Sequence, residues 1–231
     1  MKIPRCNELS YVVAVILCSL AVCLSANSGF GVSMVAAPAY ILYLKLSTLF
    51  PFCTFGMVEY SFQGLLIILL SLFLRRFKWK YPLAFVTAVL YGLCLDFWRL
   101  IFGDSIYPLL WQRILACIAG LLICAFSIAL FLRTYLPQQA YELVVKEITE
   151  KTHANMHKVK WIYDISSLLV AMLMMFVFFR QFSFSMIGIG TLLATVLNTP
   201  LIAFFGKWID RSISFDPAFP KLHEVFMKHL N

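Results

Sequence analysis

Long apolar runs alternate with polar, basic connections along the chain: 9–28, Phe55–Leu74, 81–101, 109–132, 159–179 and 184–205. Each holds about 20 residues, which at about 1.5 Å per residue crosses a hydrocarbon core of about 30 Å. Only helices and closed barrels satisfy their backbone groups in lipid, and apolar runs of this length predict helices. The expected fold is therefore all-α: a polytopic transmembrane bundle of about six spans. Residues 55–101 form its clearest unit, two runs joined by the basic turn Arg75-Arg76-Phe77-Lys78-Trp79-Lys80.

Two connections exceed a turn. Residues 29–52 contain Gly29, Gly31 and Pro38 ahead of a short apolar stretch, and the glycines permit a broken or re-entrant backbone. Residues 136–157 start near Pro137 and place Tyr141, Val144, Val145 and Ile148 among charged residues. That pattern predicts an amphipathic helix on the membrane surface. Beyond Lys207, Pro217 and Pro220 precede a short amphipathic end with Leu222, Val225 and Phe226.

Features recur between the halves. Pro38 matches Pro137, Glu59 matches Asp164, and Arg75 matches Arg180. Ala84, Ala88 and Gly92 in the third run match Gly190, Ala194 and Asn198 in the sixth, small or polar residues at a spacing that lets helices approach closely. Three spans per unit force the second copy to insert upside down, predicting two inverted three-helix repeats, 1–106 and 107–206, and a cytoplasmic tail, 207–231. Inverted repeats are the architecture of many secondary transporters.

Composition agrees with a membrane protein: 62% of the 231 residues are hydrophobic and 13% charged. The net charge of +8 does not call for nucleic acid, because the cations lie in the connections. With the N-terminus inside, fifteen of the 19 basic residues fall on the inner side, leaving Lys45, Arg99, Arg113 and Arg180 outside. Both termini are thus expected in the cytoplasm. Lys2, Arg5 and the apolar run after them resemble a signal peptide, but the repeat requires that run as a retained helix. The seven cysteines show no metal-ligand spacing and read as small buried residues. No cofactor, metal site or enzymatic constellation is expected; His153 and His157 are four apart but lack the intervening acid of a zinc helix.

Ionisable residues inside spans are costly and mark functional candidates. Glu59, Asp96, Arg99 and Arg113 are expected in one outer layer as a charge network, and Asp164 in the inner layer with Arg133 as partner. Three readings of the outer layer stay open: a structural ion-pair cluster, a transient proton or cation site at Glu59 or Asp96, or snorkelling to the surface. Gln63, Asn198 and Thr199 join the substrate or proton candidates, and Pro200 frees a carbonyl near Val196.

Ser28-Gly29-Phe30-Gly31 with Ala37-Pro38, and Gly188-Ile189-Gly190-Thr191 with Asn198-Thr199-Pro200-Leu201-Ile202, resemble the YczE branch of the YczE/YitT group of bacterial integral membrane proteins. The resemblance implies a small inner-membrane protein of five or six helices and carries no activity. Two departures stand out: no glycine-rich approach precedes Pro137, and Asn198 replaces a glycine. The functional expectation is a secondary carrier for a small solute, cationic or proton-coupled. The alternative is an accessory protein that binds a larger membrane complex, or a second copy, through its small-residue faces.

Overall fold

The computed structural model describes residues 3–216. Its helices are α1 (Asn7–Ser28), α2 (Ala37–Leu49), α3 (Phe55–Leu74), α4 (Lys80–Phe102), α5 (Leu110–Phe131), α6 (Ala140–Thr152), α7 (Met156–Phe179) and α8 (Ile189–Ser212). Six of them, α1, α3, α4, α5, α7 and α8, are long and apolar enough to span a membrane. The protein is a polytopic helical bundle. Short strands β1 (Ile3–Cys6) and β2 (Ile213–Asp216), which the apolar pattern does not predict, pair in parallel and bring the two ends of the described chain to one face.

Local chemistry sets the helix limits. Thr54 caps α3 by accepting a hydrogen bond from the Met57 amide at 3.2 Å. Arg75 and Arg180 end α3 and α7 in left-handed conformations, with φ of 49° and 53°. The last span differs from expectation at both ends: it starts at Ile189 rather than residue 184 and continues through Pro200 to Ser212. Proline removes one intrahelical bond, but the flanking apolar sequence still carries the helix past it. The amphipathic end with Pro217, Pro220, Leu222, Val225 and Phe226 lies outside the described residues.

Helices α1 and α5 form the central antiparallel pair. The side chains of Cys18 and Cys124 face each other between the two helices. On one side the Ser127 hydroxyl donates to the Ala14 carbonyl at 2.8 Å. On the other, Gly120 packs so closely on Ala21 that an added Cβ would lie 3.0 Å from its carbonyl oxygen. Cys124, Gly120 and Ser127 each lie 106 residues after Cys18, Ala14 and Ala21, so each of these contacts maps onto the other when α1 and α5 exchange places. The same exchange relates α1 on α4 to α5 on α8, α2 on α7 to α6 on α3, and α2 on α3 to α6 on α7.

One relation breaks the pattern. Helices α3 and α4 meet with their backbones in contact at Gly56 and Gly92, where an added Cβ on Gly56 would stand 2.0 Å from the Gly92 oxygen. Their counterparts α7 and α8 are separated by a crevice. The outer surface of the bundle is apolar, with Leu72, Leu100, Leu173 and Phe176 exposed, as expected of a protein solvated by lipid.

Candidate functional site

Glu59 is 0% exposed, one turn from Gln63, which is equally buried. Tyr141 donates to Glu59 Oε1 at 2.7 Å, and Gln63 Nε2 donates to the same oxygen at 3.3 Å. Oε2 has no hydrogen-bond partner. Gln63 is held in turn by the Ala140 amide, which donates to its Oε1 at 3.3 Å. The polar cluster therefore joins the N-terminal half of α3 to the first turn of α6. Helix α6 buries the apolar face that its sequence pattern marks out, but it buries that face on protein. It packs on α3, α4 and α7 rather than lying on the lipid surface.

A clamp fixes α6 in this position. Glu147, 2% exposed, pairs with the buried Lys80, with Lys78 at 2.8 Å and with the Tyr81 hydroxyl at 3.1 Å. Burial works against ionisation of Glu147, yet the hydrogen bonds and charges of Lys78 and Lys80 prevail and hold its carboxyl below the usual range.

Between α7 and α8 opens a crevice of about 290 Å³, lined by Lys160, Trp161 and Asp164 on one wall and Thr195, Thr199 and Ile202 on the other. It continues inward as a narrower cavity of about 80 Å³ that reaches Tyr91, Tyr141, Asn198 and the Cys18–Cys124 pair. Glu142 lines both parts. Burial raises the Glu142 carboxyl, with the charge of Lys160 as the main counterweight. Asp164 lies 3.5 Å from Lys160, and Asn198 Oδ1 is buried without a partner. The crevice thus offers carboxylates, an ammonium and neutral acceptors in a narrow space, the composition of a small-ligand pocket.

The expected outer charge network does not form. Glu59 faces Tyr141 instead. Asp96 accepts from the Thr54 hydroxyl at 2.6 Å and the Gly56 amide at 2.7 Å, tying the start of α3 to α4. Arg99 pairs with Asp104 at 2.5 Å and lies over the rings of Tyr43 and Phe55. Arg113 donates to the carbonyls of Ser28 at 2.8 Å and Gly29 at 3.1 Å. In the other half, Arg133 pairs with Asp210 at 2.5 Å rather than with Asp164. Each arginine finds a nearer acceptor at the end of a neighbouring helix or in a loop, so the carboxylates inside the spans keep other partners.

The glycine-bearing segments meet each other. The Gly190 amide donates to the Phe30 carbonyl at 2.8 Å, and the Thr191 hydroxyl donates to the Val32 carbonyl at 2.7 Å. Gly31, at φ +94°, leaves no room for a Cβ against Thr191 Oγ1 at 2.4 Å, and a Cβ on Gly188 would strike the Phe30 carbonyl at 2.7 Å. Gly29 is also left-handed, and Pro38 sits in the first turn of α2. These positions form a structural crossing of two non-helical segments. Of the sequence candidates, Asp164, Asn198 and Thr199 come together in the crevice, Glu59 and Gln63 sit behind Tyr141, and Asp96 belongs to the α3–α4 contact. Tyr141, Glu142 and Lys160 are the residues that sequence reasoning missed. All three lie at helix starts next to segments read as surface, where charge is ordinary. The side chain of His157 and the histidines at 223 and 229 are outside the described residues.

Residues 6–207 match the model of a family of unknown function, DUF6198, and the chain belongs to that family. No curated protein and no solved structure matches it.

Proposed function

We propose that this protein is a secondary carrier for a small solute, with the α7–α8 crevice as the solute site. The observation that carries the reading is the crevice itself: a mostly apolar opening between two spans into which Glu142, Lys160, Asp164 and Asn198 bring polar groups, ending at the Cys18–Cys124 contact. Carriers built from inverted repeats hold their ligand at such a junction. We read the recurrence of contacts about the Cys18–Cys124 pair as the trace of a duplicated three-span unit. Asp164, Glu142 and Lys160 would orient charged groups of the solute, and Asn198 and Thr199 its neutral ones. The accessory alternative loses support because the small-residue ridge it needs is covered: Ala84 and Ala88 are fully buried within the bundle. The distribution of basic residues favours both ends in the cytoplasm. The membrane we propose is the bacterial inner membrane that the resemblance to the YczE/YitT group implies.

The test is a thermal-shift screen of the purified protein against small cations, zwitterions and neutral solutes, followed by uptake of the stabilising solute into proteoliposomes. Asn198→Leu, which fills the inner crevice, and Asp164→Asn are each expected to lower uptake at least about tenfold, the loss of about 1.4 kcal/mol of interaction, while the protein stays folded. Undiminished uptake in both variants would remove the crevice from the transport path.

A further inference from the structure

We propose that Glu59 and Asp164 are the equivalent proton-binding groups of the two halves, opened to opposite faces of the membrane in turn. The inference rests on the carrier reading and names its coupling ion. Glu59 stands sixteen residues before Arg75, and Asp164 sixteen before Arg180, with both arginines left-handed at the ends of matching helices. Leu74-Arg75-Arg76-Phe77 and Phe179-Arg180-Gln181-Phe182 extend the match past the helix ends. The two acids therefore occupy one position in the repeated architecture. Their surroundings are opposite. Asp164 faces the crevice beside Lys160, with Glu142 across from it on α6. Glu59 is sealed, and its helix is shut against α4 by the Gly56–Gly92 contact and by Asp96.

The titratable groups that face Glu59 are tyrosines: Tyr141 from α6, Tyr91 from α4 and Tyr163 from α7. Among the described residues no cation pairs with it, and Oε2 lacks even a hydrogen bond. An ionised carboxylate without a counter-charge in so dry a place is far costlier than a neutral carboxyl. A proton on Oε2 removes that cost and leaves Oε1 free to accept from Tyr141 and Gln63. Tyr141 is the link to the crevice, because it lines the inner cavity while its hydroxyl touches Glu59. The step is a plain acid–base exchange: the carboxylate takes H⁺ from water and forms an O–H bond while its side is open, keeps it while sealed, and returns the same proton to water when that side opens again.

Infrared difference spectroscopy of the full-length protein in lipid tests this without any solute. The wild-type protein at neutral pH is expected to show the carbonyl stretch of a protonated carboxyl that shifts in deuterium oxide. Glu59→Gln should lose it, Asp164→Asn should retain it, and Tyr141→Phe should move it by removing the hydrogen bond to Oε1. A wild-type spectrum without the band, its persistence in Glu59→Gln, or an unmoved band in Tyr141→Phe would overturn the proposal. If the band behaves as expected but no solute is carried, the carrier reading fails and the proton site at Glu59 stands, with the exchange with Asp164 left for thiol labelling to decide: Thr199→Cys in a cysteine-free background should gain and lose reactivity with pH in wild type and be constant in Glu59→Gln. Reactivity that ignores pH would end the idea of alternate exposure.

Discussion

Glu147 does for α6 what a covalent tether would do, because its carboxylate holds Lys78 of the α3–α4 connection, Lys80 at the start of α4 and the Tyr81 hydroxyl at once. Removing one partner of a buried pair strands the other, so Glu147→Gln is expected to lower stability by about 3–5 kcal/mol at neutral pH. The pH dependence has a definite sign. A carboxyl held below its unfolded value, about 4.3, contributes fully above that value and loses its contribution as pH falls through the lower folded one. Thermal unfolding of wild type and Glu147→Gln should therefore differ most near neutrality and converge below about pH 4; a constant gap would show that Glu147 is not ionised in the fold. Gly31 sets a second residue-scale expectation. At φ +94° with no room beside Thr191, Gly31→Ala should cost about 1–3 kcal/mol in the same measurement, and an unchanged midpoint would show that the crossing of the two non-helical segments can yield.

At the scale of elements, the spans and the apolar face of α6 were legible because long apolar runs and helical periodicity report burial directly. What covered that face was not legible: periodicity distinguishes an apolar stripe but not lipid from protein as its partner. The same limit hid Tyr141 and Glu142, whose significance comes from α6 reaching across to α3 and α7. Asp96 illustrates the converse. Its depth in the third span was readable, but a two-residue choice among nearby donors, Thr54 and the Gly56 amide, decided its role, and hydropathy contains no such detail. That contact gives a test of the α3–α4 closure. Cysteines at positions 54 and 96, whose side chains touch at 2.6 Å, should cross-link readily in a cysteine-free background. The cross-link should stop carriage at least about tenfold, the equivalent of about 1.4 kcal/mol, with recovery on reduction. Full activity in the oxidised protein would mean that α3 and α4 never separate.

For the whole molecule, the pairing of halves is visible in the chain as short matches, Glu59 with Asp164 and Arg75 with Arg180, and in space as contacts that exchange about Cys18 and Cys124. The asymmetry between them, α3 closed on α4 while α7 stands off α8, is a matter of tertiary packing and leaves no mark on sequence. Under the proposed carrier mechanism the inequality of the two halves reverses in a second arrangement, and a proton or solute that binds one arrangement better shifts the balance between them. The most direct measurement is a pair of spin-label distances in lipid nanodiscs across pH. One pair joins the exposed positions Ile162 and Phe204 on α7 and α8, and the other Met57 and Phe97 on α3 and α4. Two populations are expected for each pair, the α7–α8 distance shortening as the α3–α4 distance lengthens; a single distance in each pair, unmoved by pH, would contradict alternating exposure of the two halves.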